Sequence, residues 1–372
     1  MHVNIWGHWL LMGCAASFAA CILLVATKSH HGHLTLDSTI GVQKFHEVPT
    51  PRIGGGAVVV GLLLLLWNAP DDLARILWPV LLAGTPAFAV GLWEDLTKRV
   101  PVPVRLACTM ASGALACWLT GVSLTRVNVP GVDALLSSFV PLSVLFTCFA
   151  VSGASNAFNI IDGFNGLAGG VVLIALAALA LIAARVGDQQ IVMLCLAVAA
   201  VTLGFLLVNF PLGKIFLGDG GAYLLGFLVA WIAVLLPMRN PAVSVWATLL
   251  ACGYPILETL FSIVRKIRRR GHNPGQPDHV HLHMLLYSRV SRRVYPHASR
   301  AMQNALTSPF AWAYALLPAA CAVMWFDSTP VLVVSFAAVA FVYRAIYLRL
   351  TQFRWCFSPA TKRHQLPAVA DH

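Results

Sequence analysis

The sequence has 372 residues, of which 59% are hydrophobic and only 10% charged, against about 25% charged in soluble globular proteins. With a mean hydropathy of +0.78, this excludes a soluble globular or disordered chain and indicates a polytopic membrane protein. The net charge of +11 would suit either nucleic acid or a membrane surface, and its placement along the chain decides between them.

Eleven apolar runs are long enough, or nearly so, to cross a hydrocarbon layer about 30 Å thick. They lie at 6–27, 53–67, 73–93, 104–120, 135–152, 167–184, 191–208, 222–237, 243–264, 310–326 and 331–348. The expected fold is an all-α polytopic membrane protein with about 11 transmembrane helices. Leu11-Met-Gly-Cys14 looks like a lipoprotein cleavage box, but no basic residue precedes it and the apolar run continues past it, so the first run reads as an uncleaved helix. With the amino terminus outside, 21 Lys and Arg residues fall in inner segments and 4 in outer ones. That split satisfies the positive-inside rule and puts the carboxyl terminus in the cytoplasm. The charge is then a topology signal, calls for no nucleic acid, and lets the inner loops attract anionic membrane lipids.

The connections at 68–72, 186–190, 238–242 and 327–330 are short and face outward. The long ones, 28–52, 94–103, 265–309 and the tail from 349, face inward. An active site is therefore expected in the cytoplasmic loops. Most of the nine cysteines sit inside apolar runs without Cys-x-x-Cys spacing, which reads as small core hydrophobes. The whole chain reads as a single membrane domain, with a motif-bearing core at 44–289, two further helices at 310–348 and a tail at 349–372.

The polar clusters follow in order. His30-His31-Gly-His33 reads as a solvated loop. Lys44, His46 and Arg52 precede the triplet Gly54-Gly-Gly56 and form a plausible anion site. Glu94 and Asp95 are adjacent acids closing the third run. They could help to hold a cation, accept a proton, or pair with Lys98 and Arg99. Asn156, Asn159 and Asp162 recur every three residues, so on a helix they share one arc of hard oxygen donors suited to Mg²⁺ or to sugar hydroxyl and acetamido groups.

Gly163, Gly166, Gly169 and Gly170 follow and allow close approach of backbone or ligand. Asn209, Lys214 and Asp219 share a second loop, where glycines flank Asp219 at a helix start, a place that leaves backbone N–H groups for phosphate while the carboxylate takes metal. Glu258 is an acid inside a membrane helix, either functional or paired to a neighbour, and Pro255 before it predicts a kink. Pro277-Asp278-His279-Val-His281-Leu-His283 lies in the largest inner loop. There His281 and His283 alternate and face the same way, better suited to a pyrophosphate than to Zn²⁺.

Together, Asn156-Ala-Phe-Asn159-x-x-Asp162-Gly, Asn209…Phe216-Leu-Gly-Asp219 and Pro277-Asp278…His281-x-His283 resemble the signatures of the polyprenyl-phosphate N-acetylhexosamine-1-phosphate transferases, over most of the chain. The resemblance implies an enzyme of the bacterial cytoplasmic membrane that transfers sugar-1-phosphate from a UDP-N-acetyl sugar, UDP-GlcNAc or a relative, to undecaprenyl phosphate, releasing UMP. It implies Mg²⁺, with Mn²⁺ as a substitute, on Asp219 with Asn159 or Asp162. Glu94, Asp95 and Asp219 would be the catalytic set, and Lys44, Asn156, Asp162, Asn209, Lys214, His281 and His283 would contact substrate. A homodimer is a further expectation.

Departures bear on the sugar. Glu94 replaces the first of two aspartates, Asn165 stands where an aspartate is frequent, and Met284 replaces a histidine. Thr50-Pro-Arg-Ile-Gly-Gly55 differs from the Thr-Pro-Thr-Met-Gly-Gly of the phospho-MurNAc-pentapeptide transferases, so an O-antigen or other surface glycan is the expected pathway, with peptidoglycan the alternative. A secondary transporter is the reading from another class. It would place its acids near the bilayer midplane and show inverted repeats, whereas these acids fall at inner helix ends.

Overall fold

The computed structural model describes residues 2–37, 49–268 and 280–352, the first four by backbone alone. Its helices are α1 (His2–Ala26), α2 (Lys28–Thr35), α3 (Gly54–Trp67), α4 (Asp71–Ala83), α5 (Thr85–Thr97), α6 (Val102–Thr120), α7 (Val132–Ser138), α8 (Val140–Ile160) and α9 (Leu167–Arg185). They continue as α10 (Gln189–Asn209), α11 (Gly218–Arg239), α12 (Val245–Ala251), α13 (Gly253–Arg268), α14 (Leu282–Leu286), α15 (Arg292–Val294), α16 (Arg300–Ala305), α17 (Ser308–Met324) and α18 (Thr329–Thr351). One π turn, Tyr287–Ser291, follows α14. The protein is a helical, multi-pass membrane protein.

Among the described residues, eight helices are long and apolar enough to cross a membrane. Counting the bent pairs α4–α5 and α12–α13 as single spans gives ten. All eleven apolar runs fall on helices, but α3, at 14 residues, is short for a full crossing. The chain is also not purely α: Leu36–Asp37 (β1) pairs antiparallel with Thr50–Pro51 (β2). His30 to His33, expected in a loop, lie on α2, where His31 bonds Thr35 Oγ1 at 2.6 Å and the Leu24 carbonyl at 3.0 Å.

Burial ranks the helices. In α11, 89% of the membrane window is buried, against 22% in α1 and 17% in α18. Hence α11 is the central post, and its apolar residues face helices on every side. The kink predicted at Pro255 lies a few residues earlier: α12 and α13 meet at 82° around Cys252. A proline in the first turn of α13 needs no N–H partner there, so it favours a new helix start over a continued one.

Backbone packing delivers the start of α11 to its neighbours. A Cβ on Gly55 would collide with the backbone of Gly221, and one on Gly91 would lie 2.5 Å from the Asp219 carbonyl carbon. Thus α3 and α5 touch α11 through main chain. The segment before α11 is stitched to the strand: Phe216 N–H donates to the Pro51 carbonyl at 2.8 Å, and the Gly54 and Gly55 N–H groups donate back to Phe216 and Leu217 at 2.9 and 2.8 Å. Arg52 sits between those bonds.

Candidate active site

The N-terminus of α11 and one end of each of α3, α5, α6 and α8 meet around Asp219. Gly218, at φ +76°, turns the chain into α11 where a Cβ would meet the Asp95 carboxylate at 2.6 Å. The first turn of α11 therefore lies against the last turn of α5. Asp95, 1% exposed, accepts from the N–H groups of Asp219 at 2.8 Å and Gly220 at 2.9 Å. An acid from another helix thus satisfies two of the orphan donors at this helix start.

Arg52 ties the acids together. Its Nε lies 3.2 Å from Asp95, one Nη lies 3.3 Å from Asp219 and the other 3.6 Å from Asp37. Burial works against its charge, yet Asp219, Asp95, Asp37 and Asp162 hold its pKa above the usual arginine value. Arg105, in the first turn of α6, places Nη1 3.5 Å from the other Asp219 oxygen. Asn159, at the end of α8, donates Nδ2–H to Asp219 Oδ1 at 3.0 Å. Lys98, the left-handed residue closing α5, donates to the Leu36 carbonyl at 3.3 Å and lies 4.0 Å from Asp37.

Asp162 lies just past α8, half-buried, where its N–H donates to the Asn159 carbonyl at 3.1 Å. Its pKa is pushed up to about 7, first by burial and then by the charge on Asp219, with Arg52 opposing. A second cation would relieve both effects.

The expected residues separate into groups. Asp219, Asn159, Asp162 and Asp95 converge. Glu94 does not join them: adjacent helical residues point about 100° apart, and its Oε2 accepts from the Val100 N–H at 2.7 Å, closing the turn after α5. Asn156 turns toward α6, donating to the Ser152 carbonyl at 2.8 Å and Thr109 Oγ1 at 3.2 Å.

Asn209, expected at a substrate, is buried with both amide atoms engaged: Oδ1 accepts from Gly166 N–H at 2.6 Å and Nδ2 donates to the Ile215 carbonyl at 2.7 Å. It clamps the two glycine loops together. Asn165 braces the same region, taking Asn304 Oδ1 on its N–H at 2.8 Å and Ser308 Oγ on its carbonyl. Lys214 is exposed on the loop before α11. Lys44 and Pro277 to His279 lie outside the described residues.

His281 and His283 face the same way, as expected, with parallel rings 5.3 Å apart. Glu258, fully buried, holds them: its Oε1 is 2.9 Å from His281 Nδ1, and both its oxygens accept from Leu282 N–H at 3.1 and 3.2 Å. The apolar surroundings push His283 down to a pKa of about 4, against the opposing pull of Glu258.

Sequence reasoning did not single out Arg105 or Asp37. Arg105 was visible only as one basic residue of an inner loop, and Asp37 carried no motif at all. Among the described residues no group of three His, Cys, Asp or Glu side chains forms a closed cage for a metal ion.

Residues 77–237 match the profile of glycosyl transferase family 4, a segment holding Glu94, Asp95, Asn159, Asp162 and Asp219. A Bacillus subtilis protein named probable undecaprenyl-phosphate N-acetylglucosaminyl 1-phosphate transferase is 29% identical over 65% of this chain and 66% of its own length. Proteins from Yersinia pestis and Escherichia coli K12 named undecaprenyl-phosphate alpha-N-acetylglucosaminyl 1-phosphate transferase are each 26% identical, over 66% of this chain and 67% of theirs. The chain thus matches these relatives over about two thirds of their length. The acid and amide motifs, their convergence at one end of a helical membrane bundle and the matched segment agree: over residues 77–237 the chain is similar to glycosyl transferase family 4.

Proposed function

We propose that the protein transfers sugar-1-phosphate from a UDP-N-acetylhexosamine, UDP-GlcNAc or a relative, to undecaprenyl phosphate, releasing UMP. It would do so in the bacterial cytoplasmic membrane as the first step of an O-antigen or other envelope glycan. The observation that carries this reading is Asp219 at the start of the central helix, flanked by Arg52, Arg105 and Asn159. Two anionic substrates meet only where cationic groups offset their charge, and both guanidinium groups lie beside the carboxylate.

The donor set fits Mg²⁺, with Mn²⁺ as a substitute. Asp219 and Asp162 are hard carboxylates, close enough for the charge on Asp219 to raise the Asp162 pKa, and Asn159 supplies an amide beside Asp219. Mg²⁺ keeps several waters and substrate oxygens, so one or two carboxylates suffice and a closed cage is unnecessary. When bound, the ion supplies charge neutralisation for the diphosphate.

The chain's own groups do the rest. Arg52 and Arg105 take phosphoryl oxygens as Asp219 releases them. Asp95 holds the first turn of α11 and so fixes where Asp219 stands. The lipid phosphate is itself a nucleophile, and direct attack requires no covalent intermediate on Asp219. Eleven crossings with the amino terminus outside would put this end of the bundle in the cytoplasm, where UDP-sugars are found.

The deciding experiment supplies purified protein with undecaprenyl phosphate and a panel of labelled UDP-sugars. UMP release with formation of a lipid-linked sugar diphosphate is expected with a UDP-N-acetylhexosamine. No transfer with any sugar, or reporter-fusion mapping that puts 280–300 outside, would end the reading.

A further inference from the structure

Glu258 is 0% exposed on α13, on a helix set at 82° to α12. A buried carboxylate is tolerated only when its lone pairs are taken. Here they are taken from one short segment by His281 Nδ1 at 2.9 Å and the Leu282 N–H at 3.1 and 3.2 Å, while His283 Nδ1 stands 3.9 Å from the second oxygen. Tyr254 adds a second anchor, with its hydroxyl 3.4 Å from His283 Nδ1. Both rings thus turn their Nδ1 edges to Glu258, and they lie within 3° of parallel.

It follows that both Nε2 edges face away from Glu258. His283 Nε2 is buried and has no hydrogen-bond partner among the described residues. It looks at Gly163, where even an added Cβ would stand 3.7 Å off. A histidine kept only for packing would have that nitrogen satisfied. This one is aimed, unpartnered, at the turn that carries Asp162.

We infer that Glu258 is a positioning residue for the transfer reaction: it fixes His281 and His283 so that their Nε2 edges face the Asp162–Gly163 turn and meet phosphoryl oxygens of the bound nucleotide sugar. The inference rests on the transferase reading above. Glu258 touches no substrate itself. Like the carboxylates that orient metal-bound histidines, it acts by holding the far nitrogen of the ring.

The test compares Glu258→Leu and Glu258→Gln, each in the wild-type chain and in the His281→Ala/His283→Ala background. Kinetics are followed alongside the ¹⁵N spectrum of histidine-labelled protein. Glu258→Leu should lower kcat by about 10–100-fold and shift the His281 Nδ1 resonance. Glu258→Gln, which keeps an acceptor for the ring and the backbone, should recover most of that loss.

In the double-alanine background neither substitution should lower kcat further. An equal loss there, or an unchanged kcat in Glu258→Leu, overturns the inference. Should Glu258→Leu fail to fold, Glu258→Gln carries the comparison: its smaller kcat loss must vanish in the double-alanine background. If the wild-type protein transfers no sugar at all, the function fails, and the ¹⁵N spectrum still reports on Glu258. A His281 signal indifferent to position 258 would overturn the positioning on its own.

Discussion

Asp95 caps the helix that begins with Asp219: its two oxygens accept the N–H groups of Asp219 and Gly220 at 2.8 and 2.9 Å. The neighbour in sequence, Glu94, accepts instead from Val100, 2.7 Å away and outside the cluster.

Asp95→Asn should therefore lose stability and turnover together. An amide nitrogen cannot accept, so one buried N–H is stranded at about 1–3 kcal/mol. Glu94→Gln keeps an acceptor for Val100 and should stay within about threefold of wild-type turnover, a difference of about 0.7 kcal/mol. Thermal melting in detergent beside kcat decides. An unaltered melting temperature with turnover abolished would make Asp95 a proton acceptor and not a cap.

Asp219→Asn should lower turnover by at least about 10²-fold at saturating Mg²⁺, as expected when several kcal/mol of charge stabilisation is lost. The protein should still fold, since Asn159 and the Asp95 cap remain to hold the turn. Mn²⁺ binding followed by electron paramagnetic resonance should weaken in parallel. Retention of more than about a tenth of wild-type turnover would remove Asp219 from the reacting centre.

Gly55→Ala and Gly56→Ala should part company although they are adjacent. The first drives a methyl group into the Gly221 backbone, while the second meets nothing within 4 Å. Gly55→Ala should cost about 1–3 kcal/mol and reduce turnover through the displaced start of α11. Gly56→Ala should be neutral or gain up to about 1 kcal/mol of helix propensity. Similar melting temperatures for the two would contradict the backbone contact.

Acid should loosen the histidine segment. His283 has a folded-state pKa of about 4 against an ordinary 6.5, burial being the main cause. Between these values the unfolded chain binds a proton that the folded chain refuses, so the stabilisation is complete above pH 6.5 and is lost as pH falls toward 4. Hydrogen exchange of the 281–286 amides should quicken across that window, and His283→Phe should flatten the dependence. Exchange independent of pH after correction for intrinsic rates would argue against a neutral buried His283.

Most of the helices were legible from apolar run length alone, because the bilayer sets that length. The bend between α4 and α5 was not, since tertiary contacts set it, whereas Pro255 announced the bend between α12 and α13 and the short run at 53–67 announced α3. The acids and amides of the site could be read as well, because polar groups between apolar runs stand out. Asn209 was readable as polar and invisible as a clamp: its type names its donors and acceptors, while its partners Gly166 and Ile215 come from folding. Arg105 was counted only as a basic inner residue and Arg52 was read as part of an anion site, yet only the stitching of 51–55 to 216–217 brings Arg52 beside Asp219. Glu94 and Asp95 looked like a pair because sequence adjacency resembles proximity, which a helix undoes.

The contacts of Gly55 and Gly91 with the first turn of α11 have no rotamers. Side-chain packing can absorb a substitution by re-choosing χ angles, whereas main chain resting on main chain has nothing to re-choose. The turn that carries Asp219 is thus held by two other helices, α3 and α5, along a seam of main chain. The exposed residues of α1 and α18 take no part in that seam.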